Sequence, residues 1–210
     1  MKFTWILLLA TLIAFSSFAT TKTLIIKGDA KKSKNSIKDI DVVLLQDDLS
    51  IGAQAPKNWI LDRNAAKNFG LCAMYVIKGF SLNNSPAIIY PRISGQKCTN
   101  DNVLEEIIQE QAQKYKNESP KFTLEKMPSY KNKKGLIFQV RKYFNGPSPN
   151  NFELVGYLRF KNELFLAVYS SKDLKSFNQH ITAFNDFLDR VSPYDTDMSA
   201  LSGNCLYPKE

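Results

Sequence analysis

The sequence predicts an α+β fold in which an antiparallel β-sheet is flanked by helices, an α/β/α sandwich if the helices take opposite faces. Three observations carry this. The chain alternates period-2 runs with two stretches of helical periodicity. Those stretches carry one-sided apolar stripes that must be buried against something. The strand-like runs follow one another through short polar connections, as in hairpins and meanders.

The elements fall in order. Met1-Lys2-Phe3 leads into an apolar run, Trp5 to Phe15, which is too short to span a bilayer of ~20 apolar residues. Ser17 and Ala19 then put small residues where signal peptidase cuts, so residues 1–19 are expected to be a secretory signal peptide. Thr20 rather than Cys at the cut excludes a lipoprotein. Residues 20–47 are expected to hold a short strand at Leu24-Ile25-Ile26, a Lys-rich connector and a further strand over 40–46. A single α+β domain is expected over 48–195 and a tail over 196–210.

Within the domain, Ile51 to Pro56 reads as extended chain, and Trp59 begins the next element. Runs at 71–78 and 87–93 form a hairpin through Ser81-Leu82-Asn83-Asn84-Ser85-Pro86. Val103, Leu104, Ile107, Ile108, Ala112 and Tyr115 recur at helical spacing, with Asn102 and Glu105 as a capping box. Strands over 121–127, 135–144, 152–160 and 163–170 make a meander, the last two joined by a Lys161-Asn162 turn. A closing helix over 172–191, capped by Ser171, lines up Leu174, Phe177, Ile181, Phe184, Leu188 and Val191.

Hydrophobic residues make up 44% and charged residues 23%, an ordinary globular composition that excludes a disordered chain. The net charge of +8 falls to about +7 once Lys2 is removed, and suits an acidic protein face, anionic lipid or acidic polysaccharide. Nothing supports nucleic-acid binding, and no run beyond the amino terminus is long enough to span a membrane. The mature chain is therefore expected to be soluble and monomeric.

Three cysteines in an oxidising compartment allow one disulfide. Cys98 and Cys205 lie in polar loop sequence and are the expected pair, with Cys72–Cys98 as the alternative; Cys72 sits in an apolar run where a free thiol can be buried. No Cys-x-x-Cys, Gly-x-Ser-x-Gly or His-Glu-x-x-His is present, so neither a catalytic residue nor a metal ligand is assigned. The one histidine, His180, falls at the edge of the closing helix's stripe. A Cys–His nucleophile pair with Cys72 or Cys98 would be the core of the alternative reading, a secreted hydrolase. Trp59, Tyr90 and Tyr130, near turns and strand ends, together with Lys131, Lys133 and Lys134, make the expected binding surface.

The sequence resembles the fold family shared by the photosystem assembly subunit PsbP and the Ran-release protein Mog. The likeness rests on Pro56-Lys57-Asn58-Trp59 where the family has Pro-x-Gly-Trp, on the hairpin–helix–meander order, on Gly156-Tyr157-Leu158 and Leu164-Phe165-Leu166-Ala167-Val168, and on a closing helix with Phe184 and Phe187. It covers roughly residues 48–192. The resemblance implies a sheet flanked by helices, no cofactor, and action by binding a partner. The expected function is thus an exported non-catalytic binding or assembly protein, or a secreted bacterial effector acting through protein or lipid binding, in the periplasm or outside the cell.

Overall fold

In a computed structural model of the chain, residues 40–46, 49–147, 152–194 and 205–208 are described. The signal peptide and the Leu24-Ile25-Ile26 strand lie outside the described residues. Strand β1 (Val42–Gln46) forms a hairpin with β2 (Leu49–Ala53), and β2 also pairs with β11 (Ser192–Pro193). The boundary expected at 47/48 therefore falls inside a hairpin. The outer side of β1 pairs with β12 (Cys205–Leu206), which belongs to the segment expected as a tail.

The larger sheet has eight strands, all antiparallel. They are β3 (Trp59–Leu61), β4 (Tyr75–Ile77), β5 (Ala87–Ile93), β6 (Thr123–Lys126), β7 (Tyr130–Lys131), β8 (Ile137–Phe144), β9 (Phe152–Phe160) and β10 (Glu163–Ser171). The spatial order is β3-β4-β5-β10-β9-β8-β6, with β7 beside β8 next to β6. The meander expected from the sequence runs from the β6 edge through β8 and β9 to β10 at the centre. Phe160 pairs with Glu163 across Lys161-Asn162, and Lys161 takes φ 55°, as a two-residue hairpin turn of right-twisted strands requires.

Both faces of this centre are buried. One face holds Ile88, Tyr90, Val155, Tyr157, Leu164 and Val168, covered by helix α2 (Asp101–Glu118) through Leu104, Ile108, Ala112 and Tyr115. The other holds Ile89, Phe138, Leu158, Phe165 and Tyr169. It is covered by helices α3 (Leu174–His180) and α4 (Thr182–Asp189) and by the small sheet, whose Val42, Leu44, Leu49 and Ile51 join the same cluster. Each large side chain so buried contributes roughly 1.5–3 kcal/mol. Helix α4 approaches closely because Gly156 has no side chain: a Cβ there would stand 3.3 Å from both Leu188 and Phe184. Helix α1 (Arg63–Asn68), which the sequence reading did not anticipate, follows β3 and is capped by Asp62.

Local details depart from expectation. The cap of α2 is Asn100, whose side chain accepts from the amides of Asn102 and Val103; Glu105 is turned to other partners. The closing helix is two helices divided at Ile181, and its cap is Asp173 rather than Ser171, whose hydroxyl donates to the carbonyls of Pro86 and Asp173. Leu174 opens that helix on its solvent side, 47% exposed.

The disulfide also departs from expectation: Cys72 is joined to Cys205, and Cys98 is a buried free thiol. The reason is topological. Cys205 is carried to β1 by strand pairing, where Tyr207 donates from its hydroxyl to the Cys72 carbonyl at 2.8 Å, while Cys98 is packed in the cluster beneath α2. The bond spans 133 residues of sequence. Closing so long a loop raises the free energy of the unfolded chain by roughly 3–5 kcal/mol in the chain-entropy account. Peptide mapping of non-reduced protein is expected to return a Cys72–Cys205 peptide and an alkylatable Cys98. The Cys72→Ser/Cys205→Ser variant is expected to lose roughly 3–5 kcal/mol in urea unfolding.

Candidate binding groove

Two places gather chemistry. The first is buried beneath α2. Glu153 on β9 lies opposite Tyr143 on β8 and Ser170 on β10, and its carboxyl hydrogen-bonds to Ser170. Tyr143 and Tyr157 meet hydroxyl to hydroxyl at 2.5 Å, and Tyr115 of α2 stacks edge-on with both Tyr143 and Phe122. Removal from water pushes the Glu153 carboxyl up to about 7, and burial likewise raises Tyr90, Tyr115, Tyr143 and Tyr157. At the rim, Arg141 is 1% exposed and donates to Glu105 of α2 at 2.7 Å, and Arg159 pairs with Asp101 at 3.4 Å. A carboxyl with a raised pKa is what an acid catalyst needs, but this one is covered by the helix and spent on Ser170. The cluster seats α2 on the sheet.

The second place is open to solvent. Around the β3 edge, Asp41, Ile60, Leu61, Asp62, Arg63, Asn64, Val76, Phe80 and Ser81 line a broad groove of about 610 Å³. Ile60 and Phe80 are each 42% exposed there. Local backbone puts them there. Asn58 adopts φ 65°, a left-handed conformation that asparagine tolerates, at the position where the resembled family has glycine. The turn delivers Trp59 to the core and Ile60 to the opposite, outer face, paired with Val76. Gly79, at φ 92°, turns the chain so that Phe80 stands at the loop. Asp62 caps α1 through the Ala65 amide at 2.9 Å, and Asp41 accepts from the Ala55 amide at 2.7 Å, so both carboxylates are held in place. The Arg63 guanidinium lies 4.3 Å from the centre of the Tyr207 ring, which ties the groove to the disulfide-linked carboxyl-terminal strand.

The residues expected to form a binding surface are not brought together. Trp59, 8% exposed, and Tyr90, 2% exposed, are buried on opposite faces of the main sheet. Tyr130 donates to Asp189, and Lys133 pairs with the same carboxylate at 2.9 Å. Between them, buried Asn132 donates to the carbonyls of Leu188 and Val191, so this loop clamps the end of α4. Lys131 and Lys134 are exposed beside it. The Cys–His pair of the hydrolase reading is not assembled either. Cys72 is in the disulfide, and Cys98 lies beneath α2, where burial raises its thiol. His180 ends α3 on the other face, and partial burial lowers its imidazole. The groove itself was missed because Ile60 reads as one more apolar residue in Trp59-Ile60-Leu61. Glu153, set between Phe152 and Leu154 in an apolar strand, was the readable sign of the buried cluster.

No protein-family model matches the sequence, and no curated protein does. Among solved structures, the chain is similar to cyanobacterial PsbP (CyanoP) from Synechocystis, at 12% identity and TM-score 0.45 over 78% of this chain and 98% of that one. It is also similar to a point mutant of protein Mog1, at 12% identity and TM-score 0.40 over 70% and 92% of the two chains. The Ran-binding protein Mog1p of Saccharomyces cerevisiae follows at 11% identity and TM-score 0.39 over 68% and 89%. These belong to the fold group that the sequence resembles. The α+β class stands on the strand pairing of the chain itself.

Glu153 gives a pH signature. Its carboxyl is protonated up to about 7 in the fold but ionises near its ordinary 4.5 when unfolded. Between those values the native state binds the extra proton, so stability falls as pH rises, by about 3 kcal/mol in all, and is level on either side. Urea titrations from pH 4 to pH 8 are expected to show that fall relative to Glu153→Gln, which has no carboxyl to titrate.

Proposed function

We propose that this chain is an exported, non-catalytic binding or assembly protein that engages a protein partner through the groove at the β3 edge. The observation that carries the reading is the groove itself: half-exposed Ile60 and Phe80 both line it, together with the amide-anchored carboxylates of Asp41 and Asp62. A protein leaves such a pair exposed at some risk of aggregation, and a binding face gives the exposure a use. Export rests on the amino-terminal run and its small residues, with the disulfide as supporting chemistry, since such bonds persist in oxidising compartments. Whether the journey ends in the periplasm or beyond the cell separates an assembly role from that of an effector, and the origin of the partner decides it.

Amino-terminal sequencing of protein recovered from the exporting cell is expected to begin at Thr20, and Ala19→Arg to leave the precursor uncut. Immobilised mature protein is expected to retain a partner from its own compartment or from a host extract. The Ile60→Ser/Phe80→Ser variant is expected to lose it, at least tenfold in affinity. A Lys131→Ala/Lys134→Ala variant is expected to bind normally. Retention by the first variant and loss by the second would move the site to the basic loop.

A further inference from the structure

The β3 groove makes no use of Lys131, Lys133 and Lys134. We propose that the β7–β8 hairpin is a second, separate interaction surface: a docking tip for an anionic phospholipid membrane, with Ile137 entering the headgroup layer and the three lysines against the phosphates.

Ile137 is 58% exposed, more than any other large apolar side chain among the described residues. It pairs with Lys131 across the two strands, so both project to one side of the sheet while Tyr130 and Phe138 turn to the core. Between the strands, Lys133, Lys134 and Gly135 are all exposed. Among the described residues Lys131 and Lys134 make no ion pair. Lys133 meets Asp189 at 2.9 Å, yet its side chain stays 78% exposed. Asp189 offsets one of the three charges and leaves the tip basic. A lone exposed isoleucine is ordinary; one set among lysines matches the membrane interface, where an apolar group sinks toward the acyl chains while ammonium groups meet phosphates. An acidic protein face or a soluble polyanion would engage the lysines and leave Ile137 unused.

The tip is ordered before any membrane arrives. The buried Asn132 side chain accepts from the amides of Lys134 and Leu136, each at 2.9 Å, and donates to the carbonyls of Leu188 and Val191. Gly135 takes φ 83° to close the turn, and Tyr130 donates to Asp189. Four basic and apolar side chains are thus presented on a fixed backbone, and docking orders little more than the lysine stems. The net charge of +8 draws the whole molecule toward an anionic surface, and the hairpin then gives it an orientation. Strand β7 lies beside β8, at the end of the main sheet away from β3. A membrane held at the hairpin therefore leaves the β3 groove open to a protein partner.

The experiment is sedimentation of the mature chain with vesicles of equal parts phosphatidylglycerol and phosphatidylcholine, beside vesicles of phosphatidylcholine alone and soluble dextran sulfate. Binding is expected to the phosphatidylglycerol vesicles only, and to fall steeply as salt rises from about 0.05 M to about 0.5 M. Lys131→Ala/Lys134→Ala is expected to weaken it at least tenfold and Ile137→Ser at least threefold. Ile137→Trp is expected to strengthen it, with a blue shift of the added indole's fluorescence on vesicles and none on dextran sulfate. All these side chains are exposed, and circular dichroism checks the fold of each variant. Equal binding to both vesicle types, or unchanged binding by Lys131→Ala/Lys134→Ala, would overturn the proposal. So would indifference to Ile137→Ser with no blue shift, which would leave a polyanion site, or loss of vesicle binding in Ile60→Ser/Phe80→Ser, which would move lipid to the groove. Partner capture by Lys131→Ala/Lys134→Ala is read separately, so the groove reading and the membrane tip stand or fall independently.

Discussion

The β9–β10 hairpin must be covered on both faces, and the rest of the fold follows from that. Leu154, Leu158, Phe165, Ala167 and Tyr169 point one way while Val155, Tyr157, Leu164 and Val168 point the other, and all are buried. A sheet with two apolar faces has no solvent side, so the chain needs two covering layers. Helix α2 supplies one. The other is shared between the α3–α4 pair and the small sheet β11-β2-β1-β12. The small sheet is assembled from the two ends of the described chain, so its integrity depends on holding the carboxyl-terminal strand in place. Two residue pairs between β1 and β12 are a weak hold. The Cys72–Cys205 bond, the Tyr207 hydrogen bond and the Arg63 stacking contact make it a firm one.

The covering has a cost on the α2 side. Glu153 sits in a face made of tyrosines and aliphatic residues, and its neutral form is the one this environment favours. A glutamine would fill much the same space without titrating. The carboxyl therefore makes the seating of α2 depend on pH near neutrality, where few side chains otherwise change charge. Arg141 and Arg159 hold the first turns of the same helix by ion pairs whose acidic partners reach solvent, and the pair with Glu105 compensates the buried Arg141 guanidinium.

What the sequence made legible follows the range of the interaction. The Lys161-Asn162 turn, the meander and the α2 stripe are local patterns, and each formed as read. The division of the closing helix at Ile181 has no glycine or proline to announce it. The cysteine pairing was set by a two-residue strand, Cys205-Leu206, too short to carry a period and paired with β1 more than 150 residues away. The expected surface failed for a related reason: Trp59, Tyr90 and Tyr130 are near turns in sequence, but their burial was decided by layers that sequence proximity does not reveal. Asn58 is the reverse case, where a residue in place of the resembled family's glycine proved compatible with the same left-handed turn.

Among the described residues the β3 end of the sheet carries an open groove, and binding is proposed there. The most direct test is hydrogen–deuterium exchange of the mature protein with and without its captured partner. The account predicts slow exchange through β9 and β10 in both states, and new protection on binding confined to Trp59–Asp62 and Val76–Ser81. Protection appearing instead at Tyr130–Gly135 or over the outer face of α2, with β3 unchanged, would contradict it.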